Sequence, residues 1–208
     1  MQNNYIILGC GGHARSVADI ILSNDSTSNI VFVDKNARNG EKIYNFPVLN
    51  DFSTIKNKEN IVLGIGDNKN RKELYDIYEK YIISLFSKNT YFGYNSKIGN
   101  GTFIADNVHL GPSVSIGKGC IINTHAVLDH EVSVGDFTHI SVNATLCGKV
   151  KVGNNVFVGA SAVIKDGISI CDDVIIGAGA VVIKNIMEKG TYVGCPAKKL
   201  KEMRYENI

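Results

Sequence analysis

Between Ile98 and Val182 every sixth residue is aliphatic. Fifteen positions in unbroken succession, from Ile98, Ile104 and Leu110 through Ile170, Ile176 and Val182, carry Ile, Leu or Val. Two residues ahead of each stands a small or β-branched side chain, such as Thr102, Cys120, Ala126, Ala144 or Ala180. The residue after it is often glycine, as at Gly99, Gly111, Gly117, Gly135, Gly153, Gly159 and Gly177. Positions two apart share one face of a strand. A helix turns once in about 3.6 residues, so a strict period of six cannot keep one helical face buried. Six residues is instead one side of a parallel β-helix, and three sides make a coil. Fifteen sides predict about five coils, stacked at the inter-strand spacing of about 4.8 Å. The Gly, Asn or Asp after each aliphatic residue is expected to supply the freedom to turn a corner. The period leaves the hand of the coil open, since parallel crossovers are normally right-handed.

Ahead of the repeats the chain changes character. Tyr5-Ile6-Ile7-Leu8 is a short apolar strand running into Gly9-Cys10-Gly11-Gly12-His13, and Val17, Ile20, Ile21 and Leu22 mark the apolar face of a following helix. Ile30-Val31-Phe32-Val33 predicts a second strand ending at Asp34, and residues 61–66 a third. A second helix then carries Leu74, Ile77, Tyr78 and Tyr81. This order describes a Rossmann-like β-α-β unit over residues 1–90, with the β-helix and its tail over 91–208. Residues 89–95 show no periodicity and read as a linker. A glycine turn at a helix N-terminus can offer N–H groups to phosphate, and an acid ending the second strand can accept from a ribose or base. The same turn also serves as a tight strand-to-helix connection without a ligand, because Gly9-x-Gly11-Gly12-His13 is not a full G-x-G-x-x-G.

Composition excludes more than it selects. A net charge of +2 without a basic tract gives no reason to expect nucleic acid. No apolar run approaches a membrane span, no leader is evident, and the five cysteines follow no scaffold pattern, so a cytoplasmic, reduced setting is expected.

Four of the five histidines fall in the repeats: His109, His125, His130 and His139. Alternation turns His139 outward, and His130, just past a corner, faces out as well. The eighteen-residue coil places Pro112 below His130 and Gly148 above it, which leaves room for a ligand. A histidine titrates near neutrality and can take a proton from an attacking amine or hydroxyl. Glu131 beside it would strengthen it as a base.

The block Asn123-Thr124-His125-Ala126-Val127-Leu128-Asp129-His130-Glu131, continued by Gly135-Asp136-Phe137-Thr138-His139-Ile140-Ser141-Val142, closely resembles the NeuD/PglD-type sugar acetyltransferases of the hexapeptide-repeat superfamily. The resemblance extends to the Gly11-Gly12-His13 turn, Asp34 and the Val193-Gly194-Cys195-Pro196-Ala197-Lys198 tail. It implies a left-handed parallel β-helix, a homotrimer, and acetyl-CoA lying between neighbouring prisms. It further implies N-acetylation of the 4-amino group of a UDP-linked amino-sugar in bacterial glycan synthesis, by direct transfer and without a metal. By position, His130 matches the general base and Glu131 its acidic partner. His139 matches a contact to the acetyl carbonyl; Gly148, Ala160 and Ala178 match backbone contacts to CoA. Gly11, Gly12, His13 and Asp34 match the nucleotide-sugar pocket, and Asn123 a contact to the sugar. Lys198 and Lys199 would face CoA phosphates or solvent. Where such chains usually have glycine after Ser-Val, this one has Asn143, which would narrow the groove. O-acetylation of a sialic-acid-type sugar is the alternative. A metal-dependent hydratase using His125 and His130 lacks a third ligand, since that position falls on Asn89. A non-catalytic trimer scaffold makes the His-Glu pair incidental.

Overall fold

The computed structural model describes residues 3–54 and 60–200. The N-terminal unit is a five-stranded sheet in the order β3-β4-β2-β1-β5, where β1 is Asn4–Leu8, β2 Asn29–Val33, β3 Lys42–Ile43, β4 Phe46–Leu49 and β5 Ile61–Leu63. All neighbours are parallel except the β3–β4 hairpin. Helix α1 (Gly12–Asn24) buries Ala14, Val17, Ala18, Ile20 and Ile21. Helix α2 (Asn68–Tyr78) differs from the expectation: its buried residues are Arg71 and Tyr75, while Ile77 is 68% exposed. Tyr81 lies past α2, in a short 3-10 turn at Glu79–Tyr81.

The repeats form a left-handed parallel β-helix with three faces. One face carries Phe103–Ile104, Ile121–Ile122, His139–Ile140, Phe157–Val158 and Val174–Ile176. Its lower outward residues pack against the N-terminal unit, so that Leu85, Phe103 and Ile121 share a core with α1; we call it the docked face. The second face, apolar outside, shows Tyr91, His109, Val127, Thr145, Val163 and Val181 in register. The third presents Lys97, Ser115, Ser133, Lys151 and Ser169. Inside, one continuous core runs from Ile104 to Ile186. The ladder begins earlier than the pattern suggests. Leu85–Phe86 and Tyr91–Phe92 already pair with the rungs above them, so residues 89–95 belong to the prism. Aromatic side chains there replace the aliphatic period, which hid these sides in the sequence. At the other end Gly190–Val193 pairs with Val174–Ile176, and Lys198–Lys199 folds back antiparallel onto it.

The corners correct a second expectation. A left-handed backbone recurs every six residues, three positions after each aliphatic residue, at sites including Asn107, Ser113, His125, Glu131, Asn143, Asn155 and Asp173. The glycine directly after the aliphatic residue has another cause. A Cβ on Gly135 would lie 2.6 Å from the Gly153 carbonyl carbon of the next coil. Those glycines exist because adjacent coils approach backbone to backbone.

Candidate active site

The N-terminal crevice opens at the carboxyl ends of β1, β2 and β5, where the chain switches from building one side of the sheet to the other, the place open α/β sheets bind ligands. Its volume is 570 Å³, and its walls include Gly9 to His13, Val33 to Asn36 and Gly64 to Gly66. Phe52, Leu74 and the exposed Ile77 form an apolar end. Gly9, at φ 116°, and Gly64, where a Cβ would strike Ile7 at 2.6 Å, are required by the fold itself. Gly11 and Gly12 are not: neither has a positive φ, and a Cβ on either would meet nothing within 4 Å. Open space therefore lies above the start of α1, which no side chain caps. Asp34 Oδ2 accepts from the Cys10 amide at 3.1 Å and Oδ1 from the Asn36 amide at 2.9 Å.

Behind this crevice His13 meets Phe103 edge to face, ring centroids 4.9 Å apart, and lies 6.4 Å from His139. His139 does point away from the prism axis, yet the N-terminal unit covers it to 8% exposure. Its Nε2 lies 3.4 Å from Asn123 Nδ2. Its Nδ1 is buried without a well-formed hydrogen bond, as is His13 Nε2. Burial, then the neighbouring histidine and Arg71, lowers His13 to about 3; burial and then Arg71 lower His139 to about 4. Both rings are neutral at physiological pH. A second cleft of 540 Å³, lined by Gly66 to Lys69, His139, Asn155, Phe157, Asp173 and Ile175, shares Gly66 with the first.

His130 stands elsewhere. It lies at the corner between Val127–Leu128 and Ser133–Val134, the edge of the prism opposite the docked face. Its Nδ1 is 3.1 Å from Glu131 Oε1, and its backbone N–H donates to Asp129 Oδ1 at 2.6 Å. The coil spacing holds: the Glu131 amide donates to Pro112 O, and the Lys149 amide to His130 O, each at 2.9 Å. The imidazole rests over Gly148, where a Cβ would come within 2.3 Å of Nε2.

The residues singled out in the sequence thus separate into two groups within one chain. His130, Glu131 and Gly148 occupy one edge. The crevice residues Gly11, Gly12, His13 and Asp34 gather at the docked face with His139, and Asn123, Ala160 and Ala178 follow its edge with the apolar face. That edge carries Asn143 too, whose Nδ2 donates to Ser161 Oγ at 3.2 Å. In the tail, Lys199 is bound to Glu188 at 2.6 Å and Lys198 is exposed. No motif in the sequence singles out Arg71 and Asn68. The one signal for Arg71 is that a charged residue stands four before Tyr75, on the buried side of α2.

Comparison with known proteins agrees with this architecture. Residues 4–78 match the PglD N-terminal domain, residues 95–130 the bacterial transferase hexapeptide (six repeats), and residues 149–184 the hexapeptide repeat of succinyl-transferase. No curated protein matches the sequence significantly. Among solved structures, the acetyltransferase domain of PglB from Neisseria gonorrhoeae FA1090 is 25% identical, with a TM-score of 0.88 over 96% of this chain and 100% of that one. The same domain in complex with acetyl coenzyme A gives 0.89 at the same identity and coverage. PerB from Caulobacter crescentus, in complex with CoA and GDP-perosamine, is 26% identical, with a TM-score of 0.86 over 97% of this chain and 98% of that one.

Proposed function

We propose that this chain, an acyltransferase of the hexapeptide-repeat superfamily with a PglD-type N-terminal domain, transfers the acetyl group of acetyl-CoA to the 4-amino group of a UDP-linked amino-sugar. The observation that carries this reading is the crevice: an acyltransferase prism fused to a cleft whose open floor at Gly11 and Gly12 suits a diphosphate. PerB's complex with GDP-perosamine supports a nucleotide-linked amino-sugar as acceptor. Each Asp34 oxygen already accepts one backbone N–H, which leaves it suited to single further donors, such as a ribose hydroxyl or the N3–H of uracil.

The Glu131 carboxylate accepts from Nδ1–H of His130, leaving the Nε2 lone pair as the base. As the amine attacks the thioester carbonyl, the new N–C bond forms and His130 Nε2 takes the departing proton. Collapse of the tetrahedral intermediate breaks the C–S bond, and the imidazolium returns that proton to the leaving thiolate. The neutral His139 would stand near the acetyl carbonyl, and the backbone at Gly148, Ala160 and Ala178 along the CoA. Since His130 lies on the edge away from the crevice, the reaction needs the edge of one chain beside the docked side of another. A trimer with prisms side by side supplies that, and the apolar face, with Val142, Val163 and Ile183 exposed, gives it a surface to bury. His130→Ala is predicted to lower kcat by about 1,000-fold, within the range of general-base removal, with assembly and melting temperature unchanged. Activity within a few-fold of the parent would overturn the assignment.

A further inference from the structure

Arg71 is the largest fully buried side chain among the described residues, at 1% exposure. A buried guanidinium is costly unless its N–H groups are all engaged. Here they are, and none of these bonds goes to a carboxylate. Nε donates to Gly119 O at 2.7 Å. Nη1 donates to Gly66 O at 2.9 Å and to Ile65 O at 3.3 Å. Nη2 donates to Phe137 O at 2.9 Å and to Asn68 Oδ1 at 2.7 Å. Asn68 in turn donates to Val156 O at 3.1 Å. Two of the carbonyls belong to the loop ending the crevice, and two to prism corners, one of them two residues ahead of His139. Gly66 is the residue that both clefts share.

We propose that Arg71 is a positioning residue for the transfer: by bonding both walls of the wedge between α2 and the docked face, it sets the distance between the acceptor crevice and His139. The inference rests on the reading of that crevice as the acceptor site. Arginine suits the task because its rigid planar fork spans several carbonyls at once. Lysine offers a point charge on a flexible stem and holds fewer of them. A small error in the spacing of two bound reactants is felt in the rate rather than in either affinity.

The test compares the full-length parent with Arg71→Lys and Asn68→Ala. It measures kcat with acetyl-CoA and a UDP-4-amino-sugar, the Kd of UDP and of CoA by calorimetry, and the melting temperature. Arg71→Lys is expected to lose about 100-fold in kcat, the size of effect that misplacement by about 1 Å produces, with both Kd values near those of the parent. Asn68→Ala, which keeps the guanidinium, is expected to fall between the two and decides the matter should Arg71→Lys not fold. Parent-like kcat in folded variants would overturn the proposal, as would a loss residing wholly in the Kd of UDP. A parent protein that binds no UDP would remove the acceptor reading and the inference together, and the parent controls register that separately.

Discussion

A methyl group on Gly148 would lie 2.3 Å from Nε2 and 2.6 Å from Cε1 of His130. The backbone there needs no glycine for its own torsion angles, and the three closest contacts of the added Cβ are all with the imidazole. His130 is half exposed and can swing away cheaply, which separates the two effects of Gly148→Ala. Melting is predicted to change by less than about 0.5 kcal/mol, the usual size for surface substitutions. Transfer is predicted to fall by about 100-fold, because the proposed base leaves its place. Unchanged activity in the folded variant would show that this ring position is unimportant. At this scale the sequence was informative about neighbours. The eighteen-residue coil alone placed Pro112 and Gly148 around His130, and the backbone bonds reproduce that stack. It gives the direction of His139 but not its burial, because alternation reports which way a side chain leaves the prism and not what covers it.

The junction of α1, α2 and the docked face holds two histidines that the fold keeps neutral. Unfolded, each would bind a proton at its ordinary value of 6.5; folded, they hold off until about 3 for His13 and about 4 for His139. Between those values the unfolded chain carries more protons, so stability falls as pH drops from 6.5 towards 4. By about pH 5 the loss is on the order of 2 kcal/mol per histidine. Thermal melts across this window should show it, and His13→Asn should flatten the slope. A melting temperature constant down to about pH 5 would contradict the burial argument. Elements with a strong period are legible in the sequence: the prism sides, β1, β2 and α1. Helix α2 and β5 are legible as elements too, but the side of α2 that a partner covers is not. Helix α2 buries Arg71 against carbonyls of another unit while Ile77 faces the crevice, and no periodicity in α2 alone reveals either. The corner chemistry was misplaced because glycine serves close coil contact as readily as it serves a positive φ.

In the whole molecule, the distance between the His130 edge and the crevice becomes a statement about assembly. If each site joins two chains, His130→Ala chains, impaired in kcat, and Asp34→Ala chains, weakened in acceptor binding, should regain activity when unfolded and refolded together, since some interfaces then pair an intact edge with an intact crevice. No recovery from mixed oligomers would mean that each chain works alone. The measurement that bears most directly on the function is acetyl-CoA turnover across UDP-, GDP- and dTDP-linked 4-amino-sugars, with a free sialic acid beside them. Turnover is predicted with a UDP-linked amino-sugar and the appearance of its N-acetyl product. Turnover of the sialic acid alone, or of none of them, would contradict it.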